Sequence, residues 1–295
     1  MLLSVMYMTL NEWLSSWLSL RSGSLALRTV DCYRATVRLH IAPALGAVAL
    51  DQLTPAACVS LLSSVCAAGH TRTAVLVHAI LSRALRDAVQ NGLLASSPMA
   101  SVGRPSHRPA RPQWLTPDQI PAYVAAVSAD PYRLAWLLAL CCGLRRGEIC
   151  GLRWQDVDFR SSELHVSNQR QRLASGTVID CPPKSAAGER TVPVPAPVLA
   201  ALKAARQVSG YVIPLLPSSL DRAHARLLAR AGLPHVRLHD IRHTMGAVAV
   251  REGVPIKVLQ ELLGHSRYST TADIYAHVDD TASRAAIDQI ALSVL

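Results

Sequence analysis

The chain has 295 residues, half of them hydrophobic but only 4% aromatic, with a single Phe, so it is long enough for two domains with mostly aliphatic cores. No run of about 18 apolar residues occurs, which argues against a membrane span, and the opening MLLSVMYMTLNEW has no basic stretch, which argues against a secretion signal. A net charge of +10 points to a polyanion partner, nucleic acid first, because neutralised phosphates release condensed counterions.

The first hundred residues read as helical. TLNEWLSSWLSL places Leu10, Trp13, Leu14, Trp17 and Leu18 on one helix face, with Thr9 and Glu12 spaced as a capping box. Met1, Met6 and Met8 all stand as possible starts. SLALRTVDCYRATVRLHIAPAL continues the helical period, with Arg28, Arg34 and Arg38 off its apolar stripe. LTPAACVSLLSSVCAA starts at Thr54-Pro55, and TRTAVLVHAILSRALRDAVQNG stops at Asn91-Gly92. Four helices with a basic excess suit a duplex-binding bundle. SVGRPSHRPARPQ then breaks the pattern with prolines and arginines, the mark of an extended basic linker. The division expected is a helical unit over 1–102, a linker over 103–113 and a larger unit over 114–295.

The larger unit opens at Thr116-Pro117-Asp118, a helix start, followed by the apolar PYRLAWLLALCCGL. The period then shifts from 3.6 to 2 in ELHVSNQRQRL and TVIDCPPKSAAGERTVPVP, which predicts a three-stranded antiparallel sheet with Lys184 at its second turn. From Pro197 the chain is helical again. Seven cysteines with no CxxC pair read as buried free thiols in a reducing cytoplasm, not as a disulfide framework or zinc site.

Several constellations carry chemistry. LHDIRHT sets His239 and Arg242 on one helix face, with His243 one residue on, a pairing that suits a phosphate. GLRRGE sets Arg145 and Glu148 three apart, with Arg146 as a competing arginine. VPIKVLQELLGH reads as a helix capped by Gly264, with the chain turning at His265. The hydroxyls of Ser269 to Thr271 can cap a following helix that carries Tyr275, while Tyr268 falls in the loop. No P-loop, GxGxxG, HExxH or GxSxG occurs, and carboxylates form no obvious cluster. Nucleotide hydrolysis, dehydrogenase, zinc-protease and two-metal nuclease readings lose their support.

In this order, GLRRGE, PPKSAAGERTVPV, HDIRH, LLGHS and TTADIY resemble the motifs of the tyrosine recombinase (phage integrase) family, over roughly residues 115–280. The resemblance implies a mainly α protein: a helical core-binding (SAM-like) domain plus an α+β catalytic domain with a small antiparallel three-stranded sheet. It assigns Arg145, Lys184, His239, Arg242 and His265 to catalysis and Tyr275 to the nucleophile. Glu148, Asp240 and His243 fall at supporting positions, and Tyr268 falls at a packing position. It implies strand cleavage through a 3′-phosphotyrosyl link, with no cofactor and no metal. The partners implied are double-stranded DNA attachment sites and three further copies of the chain. The tail DDTASRAAIDQIALSVL, an apolar helical stripe, would dock on a neighbouring protomer. The core-binding pattern begins near Thr9, so the expectation is a compact integrase without an arm-binding domain. A Xer-type dimer resolvase, a non-cleaving DNA-binding protein of the same fold and a type IB topoisomerase-like enzyme are the alternatives. His277 has no role in any of these readings.

Overall fold

The computed structural model describes residues 8–108, 113–183, 185–266 and 268. Lys184, Tyr275, His277, the Ser269–Thr271 cap and the C-terminal stripe lie outside the described residues. The chain divides into two compact units, one comprising Met1–Ala110 and Leu173–Thr177, the other Arg111–Arg172 and Val178–Leu295.

In the first unit, α1 (Leu10–Arg21) starts at the expected capping box. The Thr9 N–H donates to Glu12 Oε2 at 2.8 Å, and the Glu12 N–H donates to Thr9 Oγ1 at 3.3 Å. Its five stripe residues are all buried. The second expected helix is interrupted: α2 (Leu27–Thr36) passes into a π turn at Val37–Ile41 and then α3 (Ala42–Leu45). Pro43 explains the break. It has no N–H to give the carbonyl four residues back, and its ring crowds that carbonyl, so the turn widens. The Ala42 N–H accordingly reaches back five residues to Val37 O. Helix α4 (Pro55–Ala67) begins with Thr54 Oγ1 accepting from the Ala57 N–H at 3.2 Å. Helix α5 (Thr71–Gln90) lays a continuous apolar face, Ala74 to Ala88, along the core. The two large aromatic residues of α1 are also tied to it: Trp13 Nε1 donates to Ala84 O at 2.9 Å and Trp17 Nε1 to Asp87 Oδ2 at 2.6 Å.

The second unit packs helices around a small sheet. Helix α6 (Ile120–Ser128) follows a 3₁₀ turn, in which the Thr116 N–H donates to Gln119 Oε1 at 3.0 Å. Helix α7 (Arg133–Cys141) supplies the centre of the core through Ala135, Trp136, Leu138 and Ala139, and α8 (Arg146–Gly151) follows it. The three-stranded antiparallel sheet is present, but its strands are β1 (Val157–Asp158), β2 (Glu163–Val166) and β5 (Arg190–Pro193), with Leu164 opposite Val192 and Val166 opposite Arg190. The run read as one strand, ELHVSNQRQRL, splits at Ser167-Asn168. Leu164 and Val166 point into the core, whereas Gln169–Arg172 has no apolar face to bury. That segment, β3, pairs instead with β4 (Val178–Cys181) as a separate two-stranded hairpin. The link from β4 to β5 therefore joins two sheets and is not the tip of a hairpin. Four more helices follow among the described residues: α9 (Ala196–Ala204), α10 (Pro217–Arg230), α11 (Leu238–Arg251) and α12 (Ile256–Leu263).

Cys58, Cys142 and Cys150 are buried, as expected, but Cys32 is exposed, and Cys66, Cys141 and Cys181 are half-buried. Burial pushes the thiols of Cys142 and Cys150 up to about 12. Among the described residues no helix is long and apolar enough to cross a membrane.

Candidate active site

Helix α12 ends because Gly264 takes φ +60° and ψ +48°, a left-handed conformation open to glycine at no steric cost. A Cβ there would also stand 2.6 Å from Ala187 O. The last carbonyls of a helix lack partners within it and carry the negative end of its dipole. Two of them are closed locally: the Gly264 N–H donates to Glu261 O at 3.0 Å and the His265 N–H to Gln260 O at 3.1 Å. The next three accept from three different arginines. Arg190 Nε donates to Leu262 O at 2.8 Å, Arg242 Nη2 to Leu263 O, and Arg145 Nη2 to Gly264 O at 2.6 Å.

Each arginine arrives on its own element. Arg145 is the residue before α8, and its backbone N–H and its Nη1 both donate to Glu148, at 2.8 and 2.6 Å. Arg190 opens β5 and meets Glu148 from the other side, with Nη1 at 3.2 Å from Oε1 and Nη2 at 3.1 Å from Oε2. Arg242 lies on α11, fully buried, and its Nη1 donates to Gly143 O. The competing Arg146 pairs with Asp221 instead. Glu148 is 2% exposed. Burial alone would raise its carboxyl, but the hydrogen bond and charge of Arg190, with the charges of Arg145 and Arg242, outweigh that and hold it below the usual carboxylate range.

The histidines gather around the same point. His239 and His243 stand one turn apart on α11, with ring centroids 5.2 Å apart and the planes nearly perpendicular. Burial, then the neighbouring His243 and Arg242, brings His239 down to about 4. Burial, then Arg242 and Arg145, brings His265 down to about 3. His243 is lowered mainly by burial, against the pull of Asp240. Burial and the neighbouring cations thus favour the neutral form of the His239 and His265 rings. Asp240 is buried and held by Arg237, with Nε at 2.7 Å and Nη2 at 3.0 Å. An open cleft of about 530 Å³ abuts Arg145 and His239, with Arg146, His235 and Arg237 also on its wall.

The structure therefore brings Arg145, Glu148, His239, Arg242, His243 and His265 to one helix end. Lys184 and Tyr275 belong to the expected set but lie outside the described residues. Tyr268 is 52% exposed, so it is not the packed residue expected. Sequence reasoning missed Arg190. The alternation in ERTVPV marked it only as a strand residue, and its bonds to Glu148 and Leu262 span 42 and 72 positions. Among the described residues no group of three or more His, Cys, Asp or Glu is arranged to hold a metal.

Concentrated, hydrogen-bonded arginines beside histidines on a cleft have the chemistry of a site for an anionic group such as a phosphoryl. The phage integrase family profile matches residues 113–282, and the profile of the phage integrase central domain matches residues 10–104. A XerC-like tyrosine recombinase of Caldanaerobacter subterraneus is 31% identical over 233 residues, 65% of this chain. That match covers 58% of the relative, so the chain spans less than two thirds of that relative's length. The tyrosine recombinase XerC of Mycobacterium sp. strain KMS is 30% identical, over 77% of this chain and 79% of its own. Among solved structures, the Tn1549 transposon integrase bound to circular intermediate DNA shares the fold at a TM-score of 0.79, with 21% identity over 96% of this chain and 99% of that one. A lambda integrase dimer on a core site shares it at 0.72, with 21% identity over 92% of this chain and 78% of that one. The chain belongs to the phage integrase family, the tyrosine recombinases, which cleave and rejoin DNA.

Proposed function

We propose that this chain is a site-specific recombinase that integrates or excises a phage or other mobile element, with residues 1–102 gripping the DNA, 103–113 linking and 114–295 cutting. The convergence of Arg145, Arg242, His239 and His265 at the end of α12 is the observation that supports this reading most. In it, the Tyr275 hydroxyl attacks a DNA phosphodiester. A phenol with its ordinary pKa near 10 is a weak nucleophile at neutral pH. Arg145 and Arg242 offset that by stabilising the phenolate and the charge that builds on the non-bridging oxygens. The bond to the 5′ oxygen breaks as the 3′-phosphotyrosyl bond forms, and Lys184 protonates that leaving oxygen to give the 5′ hydroxyl. His239 and His265 hydrogen-bond the phosphoryl group and shuttle the tyrosine's proton. The covalent link conserves the bond energy, so a different 5′ hydroxyl reverses the step and exchanges strands without ATP or a metal. Four protomers act on two attachment sites in the bacterial cytoplasm, each tail docked on its neighbour.

Dimer resolution of the Xer kind is a second reading, favoured by relatives named XerC at 30–31% identity. A nicked duplex selected for binding from a random library tests the chemistry. Wild type should form a protein–DNA adduct stable to denaturant, and Tyr275→Phe should form none. An adduct that survives Tyr275→Phe and vanishes in Tyr268→Phe overturns the assignment of the nucleophile.

A further inference from the structure

We propose that Arg190 is a positioning residue that sets where Arg145 stands, and so tunes how the site neutralises the scissile phosphate. The inference rests on the reading of this site as a strand-cleaving centre. Arg190 is 7% exposed, and its guanidinium makes four bonds: to Leu262 O, to Gly188 O at 3.1 Å and to both oxygens of Glu148. Those bonds leave it no free face for a substrate. They place it behind Arg145, which does face the cleft. Glu148 accepts from Arg145 on the same carboxylate that Arg190 grips, so the position of that carboxylate fixes the fork of Arg145. The turn of α12 that Arg190 holds through Leu262 is also the turn whose Gly264 carbonyl holds the other arm of Arg145. Both anchors of Arg145 are therefore anchored by Arg190.

Two further facts show how closely the parts fit. A Cβ at Gly264 would meet the Arg190 side chain, 2.9 Å from Cδ and 3.1 Å from Nη1. Arg190 is also locked in register, opposite Val166 at the end of β2, so its backbone cannot slide to follow a displaced helix. Lysine cannot reproduce this role, because one ammonium cannot span a carboxylate and a carbonyl on two sides.

The test separates positioning from simple loss of fold. Arg190→Lys and Arg190→Met are compared with wild type on the nicked duplex and on the same duplex with a neutral methylphosphonate at the scissile position. Arg145 acts through charge on the non-bridging oxygens, so an Arg145 out of place matters less when that charge is gone. Cleavage of the phosphodiester should fall roughly 100-fold in both variants, as expected when a reacting group moves by about an ångström. Cleavage of the methylphosphonate should fall less than tenfold, and DNA affinity should stay within a factor of three of wild type. The conservative Arg190→Lys keeps a charge at the site and guards against a variant that does not fold. Equal losses on both substrates, or wild-type rates in Arg190→Lys, overturn the inference. A wild-type protein that forms no adduct at all overturns the strand-cleavage reading instead.

Discussion

Glu148 and the buried histidines show how single residues tie this fold to pH. A carboxylate with 2% exposure would be costly alone, but two arginines share it. The histidines are the opposite case, kept neutral by burial and by cations. His224 lies at 1% exposure, with its ring nitrogen 3.2 Å from the Tyr123 hydroxyl, and burial brings it down to about 4 from the usual 6.5. Its folded pKa is below its unfolded one. As pH falls from about 6.5 to 4 the unfolded chain takes up protons that the folded chain refuses, so stability falls with pH in that window. His239 and His265 add to the same slope, and Glu148 adds to it below its ordinary 4.5. The melting temperature of the DNA-free protein should drop steadily from pH 7 to 4.5. His224→Gln should flatten that slope by removing up to about 3 kcal/mol of the pH-linked loss. An unchanged slope in the variant would mean that His224 already protonates in the folded state.

At the scale of elements, helix starts and stops were legible because their causes are local. The Thr9–Glu12 box, the Thr54-Pro55 start and the Gly264 cap each act within a few residues. Strand partners were not legible, because pairing is decided by burial elsewhere. The alternation in ELHVSNQRQRL ran through a point where the core ended, and nothing in the run itself marks that point. The place of β3 is set by α8, which closes on it through Gly151. A Cβ at Gly151 would stand 2.8 Å from Gln169 Cα and 2.9 Å from Arg170 N. Gly151→Ala should therefore cost about 1–3 kcal/mol, the usual range for overpacking, read as a lower denaturation midpoint with an unchanged denaturant slope. Gly23→Ala is the control: its Cβ meets nothing within 4 Å, and its φ is not positive. A Gly151→Ala variant as stable as Gly23→Ala would show that the α8–β3 contact has room to give.

For the whole molecule, the excess of +10 is the term that acts at a distance. If the chain binds duplex DNA, log affinity should fall linearly with log salt, by about 0.9 per phosphate contacted. Titration of Tyr275→Phe on a fluorescent duplex across a salt series measures that slope, and an affinity indifferent to salt would remove charge as the basis of binding. Five motifs in order were enough to place the chain in its family, because each motif is short and local, and the resemblance they carry singled out Arg145, Arg242, His239 and His265, which the structure brings to one helix end. Only the tertiary structure brought in Arg190, paired Arg146 with Asp221 and drew three arginines onto three successive carbonyls of α12. Those arrangements join positions up to 119 residues apart, and what selects them is the need of a buried carboxylate and a bare helix end for partners, which chain order does not encode.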